Sequence, residues 1–188
     1  LLATGSASDI RENFDIINAI DIDLHAMLTA ESDYVKDGRT KNLYLTIKQR
    51  PERRYILYTP WDFDLSFGNI WQGNLPNKTS TISYGVGPDY VPDVANMPVG
   101  RLRAKGDKTI DQEVKARYAE LRRGAWSNEN IMRLINSYEV DIFASGAYER
   151  DCARWPDGNY FEGATNLSKF RDYVEKRLAF VDKYYGLK

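Results

Sequence analysis

Residues 37–68 read DGRTKNLYLTIKQRPERRYILYTPWDFDLSFG, and this stretch decides the fold. Two short runs of β-branched and aromatic residues, LYLTIKQ and YILYTP, flank the turn sequence RPER at residues 50–53. Such a pattern predicts a β-hairpin whose turn contains proline. Pro60 closes the second strand, because proline has no backbone N–H to donate to a strand ladder, and residues 61–68 are therefore predicted to form a loop.

Polar residues stand at both ends of the predicted hairpin. Asp37 precedes Asn42 by five positions, and Asp62 and Asp64 follow the second strand. Protein kinases use this order, a catalytic-loop D-x-x-x-x-N followed by a metal-binding aspartate. Phosphoryl transfer needs a base near the acceptor hydroxyl and oxygen ligands that hold Mg²⁺ against the phosphates. The order indicates that chemistry, although the Asp-x4-Asn spacing alone arises often by chance.

Structural explanations of the same residues stay open. Asp37 lies in a predicted turn beside Gly38, where both residue types are favoured as turn formers. Asn42 could brace the loop instead of binding a ligand. Asp62 and Asp64 have large apolar neighbours, and a half-buried carboxylate there needs a cation or several donors to stay charged. A bound metal meets that need, and so does a salt bridge to arginine.

Other uses of paired carboxylates can be tested against the sequence. A calcium-binding EF-hand loop needs Gly at its sixth position and Glu at its twelfth. Counted from Asp62, these positions hold Phe67 and Gly73, which excludes that loop. Two carboxylates this close in sequence do not fit an inverting glycosidase. The Asp-x-Asp metal site of a nucleotide-sugar glycosyltransferase remains an alternative.

Helical periodicity dominates outside the hairpin. Residues 8–32 are predicted to form two helices broken near residues 21–23, and further helices are predicted over 109–124, 127–154 and 166–185. Ser127 and Asn166 are candidate N-caps, Gly146 is a candidate interruption, and Gly186 is predicted to end the last helix. Residues 69–107 are rich in Gly, Pro and Asn and are predicted to be irregular, with a short strand near 81–84. The predicted fold class is α+β, mostly α-helical.

Composition excludes several classes of protein. The 188 residues are 43% hydrophobic and 28% charged, which is typical of one globular domain, and the net charge of −1 gives no general attraction to nucleic acid or membrane. A local excess of basic residues at 101–124 indicates either a surface for phosphates or acidic partners or a solvated helix face.

The single cysteine, Cys152, excludes an internal disulfide. The single histidine, His25, leaves little material for a zinc site or a Ser-His-Asp triad. No apolar run is long enough to span a bilayer.

The residues around the hairpin resemble the spore coat protein H (CotH) family of atypical kinases. The family pattern is D-x4-N-x-Y-L, then a hairpin, then P-W-D-x-D-x-[ST]-x-G. This chain matches it at Asp37, Asn42, Tyr44, Leu45, Pro60, Trp61, Asp62, Asp64, Ser66 and Gly68. The upstream FDIINAIDIDLHAML and the closing FRDYVEKRLAFVDKYYG are also similar to the family, so the resemblance covers most of the chain.

This resemblance implies one kinase-like domain over residues 1–188, corresponding to a C-lobe whose small hairpin carries the metal loop. It implies ATP and Mg²⁺ (or Mn²⁺) as cofactors and a Ser or Thr hydroxyl of a partner protein as acceptor. Asp37 then corresponds to the catalytic aspartate. Asn42 and Asp62 correspond to metal ligands, and Asp64 corresponds to a second metal contact or a loop brace. Trp61 is expected to pack the loop.

Nothing before Asp37 resembles a phosphate-covering loop with its Lys-Glu pair. The nucleotide-binding residues are therefore expected upstream of Leu1, and the chain alone is expected to have little activity. A catalytically inactive surface or adhesion module on the same fold is the alternative of a different class. An extracellular or cell-surface location is favoured, with the cytoplasm or spore coat as alternatives.

Overall fold

A computed structural model describes residues 1–33, 35–36, 39–69, 86–156 and 167–187, with the backbone alone for 35–36 and 39–40. Asp37, the predicted strand near 81–84 and Asn166 lie outside the described residues. The described elements, in chain order, are α1 (Ala7–Asn13), α2 (Ile16–Thr29), β1 (Val35–Lys36), β2 (Arg39–Thr40), β3 (Leu43–Gln49), β4 (Arg54–Pro60), α3 (Pro98–Ala104), α4 (Ile110–Arg123), α5 (Asn128–Tyr138), a π-helical turn (Glu139–Ala144), α6 (Ala147–Arg154) and α7 (Leu167–Tyr185). The predicted class, α+β and mostly α-helical, is confirmed.

Helix α2 forms the centre of the core. The Asp15 side chain accepts a hydrogen bond from the backbone N–H of Asn18 and so caps its start, and Ala30 ends it in the left-handed region at φ 55°. The helix packs against α3, α4, α7 and β4. Its buried residues are Ala19, Ile20, Ile22, Asp23, Leu24, Ala26, Met27, Leu28 and Thr29. Because α2 ends directly before the candidate site, its packing fixes where the site lies.

The predicted helix break near residues 21–23 is wrong, since both aspartates lie inside α2. The chain breaks instead at Phe14 and Asp15, between α1 and α2. Arg117 pairs with Asp21 at 2.7 Å, and Arg103 lies 3.7 Å from the buried carboxylate of Asp23. Burial raises the pKa of Asp23 to about 7, against a smaller lowering by the charge of Arg103. Aspartate is disfavoured inside a helix by its local propensity, but here arginines on other helices stabilise both aspartates within α2.

The predicted hairpin is confirmed. Strands β3 and β4 pair antiparallel, from Leu43 opposite Pro60 to Gln49 opposite Arg54. β4 is held to the helices by a bond from the backbone N–H of Asp15 to the carbonyl of Ile56, 3.0 Å long. The Asn18 side chain accepts from the Tyr58 N–H at 2.8 Å and donates to the Tyr58 carbonyl at 3.1 Å. The hairpin is therefore fixed to the body of the protein through β4.

Helix α3 was not predicted, because it lies in the Gly- and Pro-rich stretch 69–107. Pro98 occupies its first turn, where the missing N–H costs no helical bond. Gly100 is required by space, since a Cβ there would lie 2.5 Å from the carbonyl oxygen of Val94. Because the proline and glycine of this helix are also the residues typical of loops, composition alone could not distinguish α3 from a loop.

The predicted C-terminal helices are confirmed, with interruptions. The Ser127 hydroxyl accepts from the backbone N–H of Asn130 at 3.2 Å and caps α5. Gly146, at φ 73°, separates the π-helical turn from α6, and Gly186, at φ 79°, follows the end of α7. The π-helical turn itself was not predicted. In the described part of the chain, no helix is long and apolar enough to cross a membrane.

Several arginines of the basic stretch 101–124 are used inside the fold. Arg117 binds Asp21 of α2, and Arg122 binds Asp182 of α7 at 2.8 Å. These ion pairs tie α4 to two other helices, so much of the stretch's positive charge is neutralised within the molecule.

Candidate active site

The open end of the hairpin brings Asn42 and Asp62 together. The backbone N–H of Trp61 donates to the carbonyl of Asn42 at 2.8 Å, which extends the β3–β4 pairing by one step and places Asp62 directly after it. The carboxylates of Asp62 and Asp64 are exposed, so the expectation of half-buried carboxylates is wrong. Trp61 is 60% exposed, so its side chain does not pack beneath the loop. Its ring lies edge-to-face with the ring of Tyr44, with the two ring centroids 5.5 Å apart.

Asp33 joins this group, and the sequence did not single it out. The Asn42 side-chain amide donates to Asp33 Oδ2 at 2.7 Å, and Lys41 Nζ lies 2.5 Å from Asp33 Oδ1. Asp33 is 8% exposed. Asp33 precedes Asn42 by nine positions and therefore does not match the Asp-x4-Asn spacing. Its position directly after the long apolar helix was the available signal.

Two short strands lie between Asp33 and Asn42. Between Asp33 and Lys41, β1 and β2 pair antiparallel, with Val35 opposite Thr40. Asp37 falls between these two strands in the sequence and lies outside the described residues. Its position relative to Asn42 therefore stays a prediction.

Backbone hydrogen bonds join residues 29–33 to the loop 61–69. The Ser32 N–H and hydroxyl both donate to the carbonyl of Leu65, at 3.1 and 3.2 Å. The Phe67 N–H donates to the carbonyl of Thr29 at 2.5 Å. The segment after α2 and the loop after β4 thus form one unit, and a shift of either displaces Asp33 relative to Asp62.

Left-handed backbone conformations are concentrated in this unit. Among the described residues, the non-glycine positions with positive φ are Ala30 (55°), Asn42 (56°), Asp62 (58°) and Phe67 (49°). Asparagine and aspartate tolerate this region better than other residues with a side chain, whereas phenylalanine does not. A strained residue of this kind costs on the order of 1–3 kcal/mol and persists only where the surrounding structure imposes the conformation, often at functional sites. Two of the four positions, Asn42 and Asp62, are candidate site residues.

Glu31 supports the backbone of Asp33. It is 2% exposed, and its Oε1 accepts the Asp33 N–H at 2.8 Å, while Oε2 is buried and has no hydrogen-bond partner among the described residues. Burial raises the pKa of Glu31 to about 7, with further raising by the charges of Asp33 and Asp64. Glu31 is therefore close to half protonated at neutral pH. In the protonated form it fixes the turn without adding negative charge to the site.

We expect Glu31→Gln to reduce the pH dependence of stability. Because the pKa of Glu31 in the folded protein lies above its ordinary value of 4.5, its contribution to stability is complete below that value and is lost as pH rises through about 7. The free energy of unfolding should fall by about 2 kcal/mol between pH 5 and pH 8 through this group. Urea unfolding at both pH values measures the fall. Asp23→Asn is the parallel variant, since Asp23 acts in the same direction, and an unchanged slope in Glu31→Gln would contradict the assignment.

The oxygen atoms at the open end of the hairpin suit a hard divalent cation. Mg²⁺ is commonly held by one or two carboxylates, with waters and substrate phosphates completing its coordination. Asp62 offers an exposed carboxylate, and Asn42 keeps its amide oxygen because its nitrogen is bound to Asp33. The described residues contain no cluster of three or more His, Cys, Asp or Glu side chains that could hold a metal. The set thus fits Mg²⁺ shared with phosphate better than a metal enclosed by protein.

Asp33, Asn42 and Asp62 thus lie at the same end of the hairpin, held there by the bonds described above. The family model described as CotH kinase protein matches residues 4–181. The chain therefore belongs to the CotH kinase family and is a CotH-type, kinase-like protein. Use of ATP and a divalent metal is a general feature that this family suggests. No curated protein and no solved structure matches the chain.

Proposed function

We propose that the protein, in its full-length form, transfers the γ-phosphoryl group of Mg²⁺–ATP (or Mn²⁺–ATP) to a Ser or Thr hydroxyl of a partner protein. The observation that supports this most is the bond from the Asn42 amide to Asp33, at the hairpin end that carries Asp62. Together with the bond from the Trp61 N–H to the Asn42 carbonyl, it brings a candidate base, an amide oxygen and an exposed carboxylate to the same end of the hairpin. These groups correspond to the base and the metal ligands that phosphoryl transfer uses.

Each residue then has a separate role. Asp33 is the geometric candidate for the base that orients the acceptor hydroxyl and takes its proton, and Asp37 is the candidate from sequence spacing. Asn42 Oδ1 and the Asp62 carboxylate would hold the metal, with Asp64 as a second contact. The bound metal would supply charge neutralisation at the phosphates. Lys41 pairs with Asp33 and so places a positive charge beside the carboxylate of the candidate base.

Nucleotide binding by the full-length protein tests the metal assignment. We expect ATP binding that depends on Mg²⁺, and we expect Asp62→Ala to weaken it by at least about tenfold, since a charge-assisted contact contributes about 1.5–3 kcal/mol. Asp172→Ala is the matched control, because Asp172 is an exposed aspartate of α7 whose ion-pair partner among the described residues is Lys176. Isothermal titration measures both. Equal binding by Asp62→Ala and wild type would contradict the role of Asp62.

The alternatives predict different results in the same titration. An inactive surface or adhesion module on this fold would be stably folded and bind no Mg²⁺–ATP. An Asp-x-Asp glycosyltransferase would bind a nucleotide-sugar in preference to ATP. Beyond Asp62 and Asp64 themselves, nothing in the described site favours the second alternative.

A further inference from the structure

A cavity of about 310 Å³ lies between α2, α5 and α7, with Phe67 in its wall. Protein interiors are close-packed and contain few voids larger than a water molecule, so a cavity of this size exceeds ordinary packing imperfection. Its volume falls at the lower end of the range found for small-molecule sites. The candidate site residues Asp33, Asn42, Asp62 and Asp64 are not among those that line it. The cavity is therefore separate from the candidate site for phosphoryl transfer.

Helix α5 carries an apolar stripe that the fold leaves largely uncovered. The stripe consists of residues at helical spacing, Ile131, Leu134, Ile135 and Tyr138, and all four line the cavity. Of these only Ile135 is buried, whereas Leu134 is 47% exposed and Tyr138 is 54% exposed. A stripe of this kind normally packs against a neighbouring element. Here the cavity lies in that place, so a bound molecule would complete the packing of α5.

Aromatic side chains form much of the cavity wall: Phe67, Trp126, Tyr138 and Phe170. Phe67 and Phe170 contact each other edge-to-face, with their ring centroids 5.6 Å apart. Aromatic rings prefer other aromatic rings in edge-to-face or offset-stacked arrangements, so this wall favours an aromatic ligand. An apolar cavity of about 150 Å³ is large enough to bind benzene. At about twice that volume, this cavity has room for two fused rings.

The polar groups in the wall leave no partner for a charged ligand. None of the described residues that line the cavity is acidic, so a cation would find no carboxylate there. Arg177 also lines the cavity, but its guanidinium already donates to backbone carbonyls. Burial lowers the pKa of His25, so this ring in the wall is neutral at neutral pH. Because burying a charge without a partner is strongly unfavourable, the cavity selects an uncharged molecule.

We propose that this cavity is a binding site for an uncharged aromatic molecule with two fused rings. The size of the cavity sets the number of rings, the aromatic wall sets their chemistry, and the absence of a free charged partner among the described lining residues excludes an ionised ligand. A ligand of this size that buries most of its surface is expected to bind with a Kd on the order of 100 µM. Binding here does not depend on the proposed phosphoryl transfer, so each can be tested without the other.

Two probes with the same ring system test the ligand chemistry. In isothermal titration of the full-length protein at pH 7, 2-naphthol is expected to bind at one site per chain. 2-Naphthoate has the same two rings but carries a carboxylate, and it should bind at least about tenfold more weakly because its charge would be buried without a partner. No binding of 2-naphthol, as expected if a side chain of a partner protein fills the cavity instead, would overturn the proposal. Equal binding of the two probes would overturn it as well.

Variants of α5 test the location. Ile131→Trp places an additional ring in the cavity and should weaken 2-naphthol binding by at least about tenfold. Leu134→Trp fills the cavity from a position that is 47% exposed, where folding tolerates a larger side chain, and should have the same effect. Arg133→Trp is the matched control, since Arg133 is exposed on the same helix and does not line the cavity. Circular dichroism shows which variants are folded. Wild-type affinity in either folded cavity variant would place the ligand elsewhere and overturn the proposal.

Discussion

Asp33→Asn is expected to slow phosphoryl transfer by about 10²–10⁴-fold while leaving Mg²⁺–ATP binding intact. A positioned general base contributes an effect of that size, and asparagine keeps the shape of the side chain while losing its ability to take a proton. The geometry that supports this assignment is the 2.7 Å bond from Asn42 and the 2.5 Å contact with Lys41. Autophosphorylation rates of the full-length protein at saturating ATP measure the effect.

Two further variants test whether Asp33 itself, its ion pair with Lys41, or Asp37 provides the base. Lys41→Met removes the ion pair but leaves the carboxylate, so it should cost far less activity than Asp33→Asn. Asp37→Asn removes the residue that the Asp-x4-Asn spacing selects. If Asp37→Asn abolishes transfer and Asp33→Asn does not, the sequence spacing identifies the base and the geometric assignment is wrong.

Arg177→Met is expected to destabilise the protein by about 3–5 kcal/mol, a large fraction of the stability of a domain of this size. Arg177, from α7, is fully buried, and its guanidinium donates to the carbonyls of Met27, Leu28, Pro88 and Tyr90. Burial lowers its pKa, yet an arginine remains charged. No carboxylate of the described residues pairs with it, so the carbonyl oxygens themselves stabilise the charge.

The position of these carbonyls makes Arg177 important for the site. Those of Met27 and Leu28 belong to the last turn of α2, where the helix dipole is negative and a cation is favoured. Methionine would fill the space of the arginine and leave buried acceptors unpaired, which costs the full desolvation of each. Ala30 to Asp33 follow directly, so loosening this turn should also displace the candidate base.

Arg171→Met is the matched control for Arg177→Met. Arg171 lies on the same helix, but its side chain is 30% exposed and pairs with Glu139 at 2.6 Å. Its loss should cost under about 1 kcal/mol. Urea unfolding of both variants gives the free energies of unfolding. Similar values for the two would show that the buried guanidinium is not a major source of stability.

The parts of the fold that could be predicted were those specified by local sequence. The hairpin followed from two apolar runs around a proline turn, and α4, α5 and α7 followed from helical spacing and from Ser127, Gly146 and Gly186. The aspartates of α2 led to the prediction of a helix break that is absent, because arginines eighty or more positions later in the sequence stabilise them. Arg177 gave no local signal at all, since its partners are backbone carbonyls of other segments.

Part of the candidate site could also be predicted from local sequence. Asn42 and Asp62 come together because they flank a hairpin, which a sequence pattern can show. Asp33 could not be found by the same reasoning, because the strands β1 and β2 lie between it and Asn42 and its spacing to Asn42 does not match the Asp-x4-Asn pattern. The exposure of Trp61 also had no sequence signal, since a large aromatic residue is buried more often than not.

Transfer of labelled γ-phosphate from ATP to Ser or Thr is the measurement that tests the proposed function most directly. It should be made on the full-length protein with Mg²⁺, with and without chelator, beside Asp62→Ala and the control Asp172→Ala. We expect incorporation by wild type and by Asp172→Ala, and none by Asp62→Ala or in the presence of chelator. Folded wild-type protein that incorporates no label, or equal incorporation by Asp62→Ala, would contradict the assignment of this site to phosphoryl transfer.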